Sequence, residues 1–344
     1  ALSEPAAMDA GTMVEPAPAA TRARIASRWS TSSARCDELD AAVSLLIAGA
    51  QWHHLRALIL RSAERLVARG WQRTLNGWFK ALPEELFPTD PWLAYWRGVA
   101  LAPFDPAATH IYLERAYHQF VSAALGDGAY LAWIANVELI CLEWADFAQL
   151  DRWLDDADRL QKSCGPLPEP LSGRFAAALF GALAYRRPHD PAIEEVAGRL
   201  LGVVEATPDA NARVLLGCNL VLYYNAIVGR HIELEQLMRA IEPPTGITLG
   251  PLAEALLWAL RCMHSWSLGR MHEAAAAAER GSRVAREHGL RMWDFLLAAL
   301  EAYAALNDGQ LVAGQAALDR MHRCLDPRRQ IDVAHYHYLR CFAC

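Results

Sequence analysis

Three glycines set the frame for this chain. Gly229, Gly269 and Gly309 stand 40 residues apart, in "AIVGRHIEL", "WSLGRMHEA" and "LNDGQLVAG". Each follows an apolar helical stretch and starts another. Further back, the break at Arg187–Asp190 and then Asp146 occupy comparable places, at steps of about 42 residues. A repeat of this length holding two helices cannot bury its apolar stripe alone, and stacking neighbours makes the core continuous. The period therefore predicts an all-α fold, a right-handed α-α superhelix of about seven helix pairs.

The rest of the chain fits that frame. From Asp37 onward, helix-length segments alternate with short breaks such as Gly70, Pro88–Asp90, Gly126-Asp127, Gly165-Pro166, Pro243-Pro244 and Gly289. Asp90, Asp105 and Asp190 each precede a proline. An aspartate there can accept from the free N–H groups of the first turn, where proline's missing N–H does no harm. Residues 1–35 are an Ala/Pro stretch followed by an Arg/Ser stretch without apolar periodicity, which predicts a mobile lead. The expected organisation is that lead and one helical-repeat domain over 36–344. Within "LWALRCMHSWSLGRMHEAAAAAERGSRVAREHG", small residues recur at Ala274, Ala277, Ala278 and Gly281, where a neighbouring helix must come close. Such packing resembles the tetratricopeptide repeat, with a longer unit, and with Leu234 and Gly314 where alanine is usual.

The segment 70–127 carries a narrower resemblance. Its elements are Gly70 with Leu75 and Trp78, Leu82-Pro83, and Pro91-Trp92-Leu93 with Tyr95, Trp96 and Gly98. Leu113, Ala116 and Phe120 come next, before Gly126-Asp127. Together with the later repeats, they resemble the MalT-like helical domain of bacterial signal-transduction ATPases and LuxR-type transcriptional activators, over roughly 36–330. The resemblance implies a non-catalytic module that receives a protein, a peptide or a small-molecule effector. The alternative is a stand-alone adaptor scaffold. The chain departs from whole regulators of that family, since no G-x-x-x-x-G-K-[ST] is present and no basic recognition-helix unit comes after the repeats. ATPase activity and DNA contact are therefore not expected of this segment.

Charge and cysteines narrow the class further. A net charge of −6 argues against neutralising a phosphate backbone. Eight cysteines, widely spaced through helix-like sequence, read as free thiols in a reducing cytoplasm. No secretory signal pattern is visible, and a start at Ala1 suggests a processed or excised product. The longest apolar run, Leu215–Val228, is interrupted by Asn219 and Asn225 and reads as a buried core helix.

Chemical motifs are sparse. Asp151, Asp155, Asp156 and Asp158 have D-D-x-D spacing rather than D-D-x-x-D, and Arg152 and Arg159 stand ready to pair locally; they read as a solvated acidic face. His335 and His337, beside Cys341 and Cys344, have zinc-type donors but fall on different sides of a helix. His53, His54, His110, His118, His264, His272 and His288 are scattered without a recognisable nucleophile or carboxylate motif. No enzyme, metal or cofactor is expected; the third reading, behind the module and the scaffold, is an all-α metal-dependent enzyme using the aspartate face or the C-terminal Cys/His cluster. A solenoid binds along the face lined by the first helix of each pair. The repeat register projects Trp133, Asn136, Asn219, Tyr223, Met263, Trp266 and Tyr303 toward such a groove, with Asn219 and Tyr223 as an i, i+4 pair.

Overall fold

The computed structural model describes residues 36–144, 146–327 and 329–343, without the side chains of 36–38 and 158. The N-terminal lead of 1–35 and Cys344 lie outside them. Among the described residues every regular element is helical. The α-helices are α1 (Cys36–Ala48), α2 (Trp52–Ala68), α3 (Gln72–Lys80), α4 (Pro91–Leu101), α5 (Pro106–Ser122), α6 (Gly126–Glu143), α7 (Leu150–Cys164) and α8 (Ser172–Arg186). Then come α9 (Ile193–Ala206), α10 (Ala210–Leu222), α11 (His231–Ile241), α12 (Pro251–Ser267), α13 (Met271–His288), α14 (Asp294–Asn307), α15 (Leu311–Cys324) and α16 (Gln330–Phe342). The chain divides into two compact units between Leu55 and Arg56. The first contains α1 and the opening of α2, with Leu39, Val43 and Leu55 buried. In the second, consecutive helices pack as adjacent pairs, α4 with α5 through α14 with α15.

The period of 40 has a backbone cause. Gly229, Gly269 and Gly309 have φ of +66°, +74° and +74°, with open space where a side chain would begin. Conformation, not crowding, selects glycine there. In each turn the next N–H reaches back to a helix carbonyl, Arg270 to Ser265 at 2.9 Å and Gln310 to Ala305 at 2.8 Å, as in a Schellman cap. The turn at Gly229 has one residue more. Arg230 donates to Tyr224, six positions back, because Tyr223–Ile227 is wound as a π-helix. Three further turns place a non-glycine residue in the left-handed conformation, at Ala50 (φ +47°), Ala124 (φ +53°) and Trp144 (φ +53°).

These turns yield a contrast between substitutions. Gly269→Ala should lose about 1 kcal/mol, the strain of a left-handed alanine. Gly198→Ala, at an exposed site inside α9 with open space around it, should gain about 1 kcal/mol from helix propensity. Urea unfolding of the two variants checks the opposite signs.

Other glycines are selected by space. A Cβ on Gly98 would lie 2.7 Å from Leu113, and one on Gly128 2.3 Å from Phe120. On Gly314 it would lie 2.5 Å from Leu306, which accounts for glycine where the repeat usually has alanine. Leu234, the other departure, is fully buried. Ala274, Ala277, Ala278 and Gly281 are all buried on α13, between α12 and α14. Leu75, Trp78, Tyr95, Leu113, Ala116 and Phe120 are core residues as well. Asp90, Asp105 and Asp190 each accept a backbone N–H two or three residues on, at 2.9–3.0 Å.

Within this unit the chain also returns on itself. The Trp293 indole N–H donates to Leu142 O at 3.0 Å, across 151 residues. Arg291 N donates to Pro103 O at 2.8 Å and Arg73 to His288 O at 2.7 Å. Arg329 donates to Glu143 O at 2.5 Å, and the His335 ring lies 6.3 Å from that of Trp144. A long chain of neighbour contacts alone would not bring these segments together.

Candidate functional site

The residues projected onto a groove separate into two groups. Trp133, Asn136 and Tyr223 are interior. Trp133 is fully buried and donates to Trp153 O at 2.9 Å. Asn136 donates to Ala132 O at 2.7 Å, leaving its buried Oδ1 unpartnered. Tyr223 donates to Glu194 Oε1 at 3.0 Å on α9, and burial raises its phenol pKa. Glu194 is itself held by both Nη atoms of Arg230, at 2.7 and 2.9 Å. Asn219 points elsewhere: its Oδ1 accepts from Tyr185 at 3.4 Å, in space left by Gly181. The i, i+4 pair therefore does not converge on one ligand. Met263 lines a small apolar cavity of about 20 Å³ with Leu142, Cys141, Cys218 and Trp293. Burial raises both thiols, Cys218 to about 12, so neither is a ready nucleophile.

Trp266 and Tyr303 are brought together, the first exposed and the second half-buried. Their ring centroids lie 5.7 Å apart, and Tyr338 continues the row at 6.0 Å from Tyr303. The row crosses the alternate helices α12, α14 and α16. Trp266 is 41% exposed and Tyr338 57%, values high for such large apolar surfaces. His335 sits beside Tyr303 at 6.4 Å, and burial lowers its pKa, so it is neutral near pH 7. This partly exposed row is the candidate site.

The other clusters have structural roles. Asp151 takes two bonds from Arg186, at 2.8 and 2.6 Å, which hold its carboxyl below the ordinary range. Asp155 pairs with Arg187 at 3.2 Å and Asp156 with Arg159 at 3.1 Å. Arg152 reaches Glu114 on α5 instead of a local aspartate. The acidic face is thus tied to arginines, largely across helices; the side chain of Asp158 lies outside the described residues. His335 and His337 do lie on different sides of α16, the latter exposed. Among the described residues no three His, Cys, Asp or Glu side chains converge to hold a metal ion, and no helix is long and apolar enough to cross a membrane. One scattered histidine gains a carboxylate: His110 Nε2 is 2.8 Å from Glu143 Oε2. Among the described residues no nucleophilic side chain is bonded to either of them.

Sequence reasoning misses Tyr338, and with it a polar pocket between α11 and α12. A signal for the pocket existed. Glu235 and Arg239 on α11 with Glu242 at its C-cap, and Arg261 and His264 on α12 with Leu268 at its C-cap, recur at three- and four-residue steps. Compared with protein-family models and with curated proteins, the chain finds no match. Fold and site define an all-α protein of sequentially paired helices with an exposed aromatic row.

Proposed function

We propose that this chain is a non-catalytic helical-repeat module of a bacterial signal-transduction or transcriptional regulator, of the MalT-like type, working in the cytoplasm. In this reading the paired helices form a right-handed tetratricopeptide-like superhelix. An apolar segment of a partner protein docks on Trp266, Tyr303 and Tyr338. One observation carries it: three aromatic rings on three consecutive first helices form a continuous, partly exposed row, where a monomer's interior demand would bury them. Large aromatic side chains dominate protein-binding energetics, because each offers wide contact area with few rotatable bonds to fix.

The test is recovery of a partner from an extract of the source cell by wild-type chain and by a Trp266→Ala/Tyr338→Ala variant, followed by affinity measurement with the identified partner. The expected result is binding weakened by about tenfold or more, with an unchanged helical circular dichroism signal. Equal affinities for the two proteins would contradict the assignment.

A further inference from the structure

A second feature, separate from the aromatic row, is built for a small ligand. An open pocket of about 280 Å³ lies between α11 and α12, close to the volume of ordinary small-molecule sites. Met238 and Leu268 give it apolar wall, and Arg239, Arg261, Arg270, Glu235 and Glu242 supply charge. These charges are not equivalent. Arg261 is committed: it binds Glu242 with both Nε and Nη2, the former at 2.9 Å, and lies over the Trp258 ring at 4.3 Å. Among the described residues Arg270 pairs with Glu273 alone, at 3.8 Å. Arg239 and Glu235 are exposed at the pocket mouth and make no ion pair or hydrogen bond among the described residues, although an i, i+4 spacing would let them meet, and Glu235 lies within electrostatic reach of His264.

His264 completes the wall. Its Nε2 is buried without a hydrogen-bond partner, which leaves Nδ1 as the nitrogen able to meet a ligand. A buried bare lone pair is tolerated more readily than a buried bare N–H. The proton therefore belongs on Nδ1, and His264 becomes a donor. Burial lowers its pKa, so this neutral form prevails near pH 7. Outside the pocket lining, the Asn225 amide from the π-helical turn donates to the O of Met263, the residue before His264, at 3.5 Å.

We propose that this pocket binds a small zwitterion of the amino-acid class. Arg239 and His264 take its carboxylate, Glu235 takes its ammonium group, and Met238 and Leu268 face its apolar side chain. A plain oxyanion would satisfy Arg239 but leave the Glu235 charge unanswered and repelling. A ligand with both charges answers the two free groups together. Charge-assisted hydrogen bonds are the strong ones, so each of these groups should matter measurably.

Isothermal titration of the whole chain tests this with three probes: L-leucine, the corresponding acid without its ammonium group (4-methylpentanoate), and inorganic phosphate. Saturable leucine binding is expected, tighter than that of 4-methylpentanoate, with no phosphate binding at the site. Arg239→Ala should weaken leucine by about tenfold or more. Glu235→Gln should weaken leucine while leaving 4-methylpentanoate unchanged or tighter. His264 ring signals in NMR should shift with leucine occupancy, and Arg283→Ala, on exposed α13 surface, should change nothing. Absence of saturable leucine binding, equal binding of both acids, tighter phosphate binding, or indifference to Arg239→Ala and Glu235→Gln would each overturn the proposal. Because Trp266 and Tyr338 are unaltered throughout, its failure leaves partner docking on the aromatic row standing or falling on its own test.

Discussion

Trp293→Ala is expected to remove about 3–5 kcal/mol of stability, the range for truncating a fully buried tryptophan. The indole is 1% exposed and lines the apolar cavity beside Leu142 and Met263. Its N–H is satisfied only by Leu142 O, on the far side of 151 residues. Losing it opens space that helices anchored at both ends cannot close, and strips a buried carbonyl of its donor. Trp293→Phe separates the two effects, since it keeps most of the packing and loses the hydrogen bond; about 1–2 kcal/mol is expected. Trp266→Ala is the comparison, because an exposed ring contributes little to folding, and a change under about 1 kcal/mol is expected. Urea unfolding of the three variants checks the order. Equal destabilisation by Trp293→Ala and Trp266→Ala would show that the return contact is not part of the cooperative fold.

A second large effect is set by pH. Asp332 opens α16 and is 3% exposed. Arg329 Nε lies 2.7 Å from its Oδ2, in ion-pair contact but out of line for a hydrogen bond. Burial outweighs that attraction, Asp326 adds to it, and the carboxyl is pushed up to about 6 from the ordinary 3.8. Below pH ~4 both folded and unfolded chains carry the proton, and the group has no net effect. Between about 4 and 6 the folded chain holds a proton the unfolded chain has lost, so stability falls as pH rises. Above about 6 the whole penalty is present, about 2–3 kcal/mol for a shift of this size. Asp332→Asn, which copies the protonated shape, should remove this component. Subtracting unfolding free energies of wild type from variant across pH 4 to 7 should give a difference that rises with pH and levels off. Parallel curves would mean that Asp332 is not strained by its burial.

The fold was legible where backbone geometry imposes a residue type. A left-handed turn of fixed length demands Gly229, Gly269 and Gly309, and their spacing is visible to simple counting. The same turn at Trp144 and Ala124 was not, because surrounding packing holds those residues in a conformation they do not prefer. The π-wound segment at 223–227 absorbs one residue and rotates the chain beyond it, so a projection that assumed a uniform register sent Tyr223 to a groove when it reaches Glu194. Trp266 and Tyr303 sit before regular turns, and their meeting could be read from the repeat. Contacts between residues 142–144 and 293, 329 and 335 have no local signal at all. They depend on how far each pair turns relative to the last, a property of summed packing and not of any one unit. His264 was visible only as one scattered histidine, because its neighbours in the pocket come from another helix.

Site-specific photocrosslinking tests partner docking most directly. A Tyr338→p-benzoylphenylalanine chain, irradiated in its native cell and analysed by mass spectrometry, should give one major adduct whose peptide is an apolar segment of a partner protein. The same replacement at Trp266 should capture the same segment, and at Ile232, 74% exposed on α11, should not. Adducts of equal yield from Ile232, or different proteins captured from 266 and 338, would contradict a docking row on α12, α14 and α16.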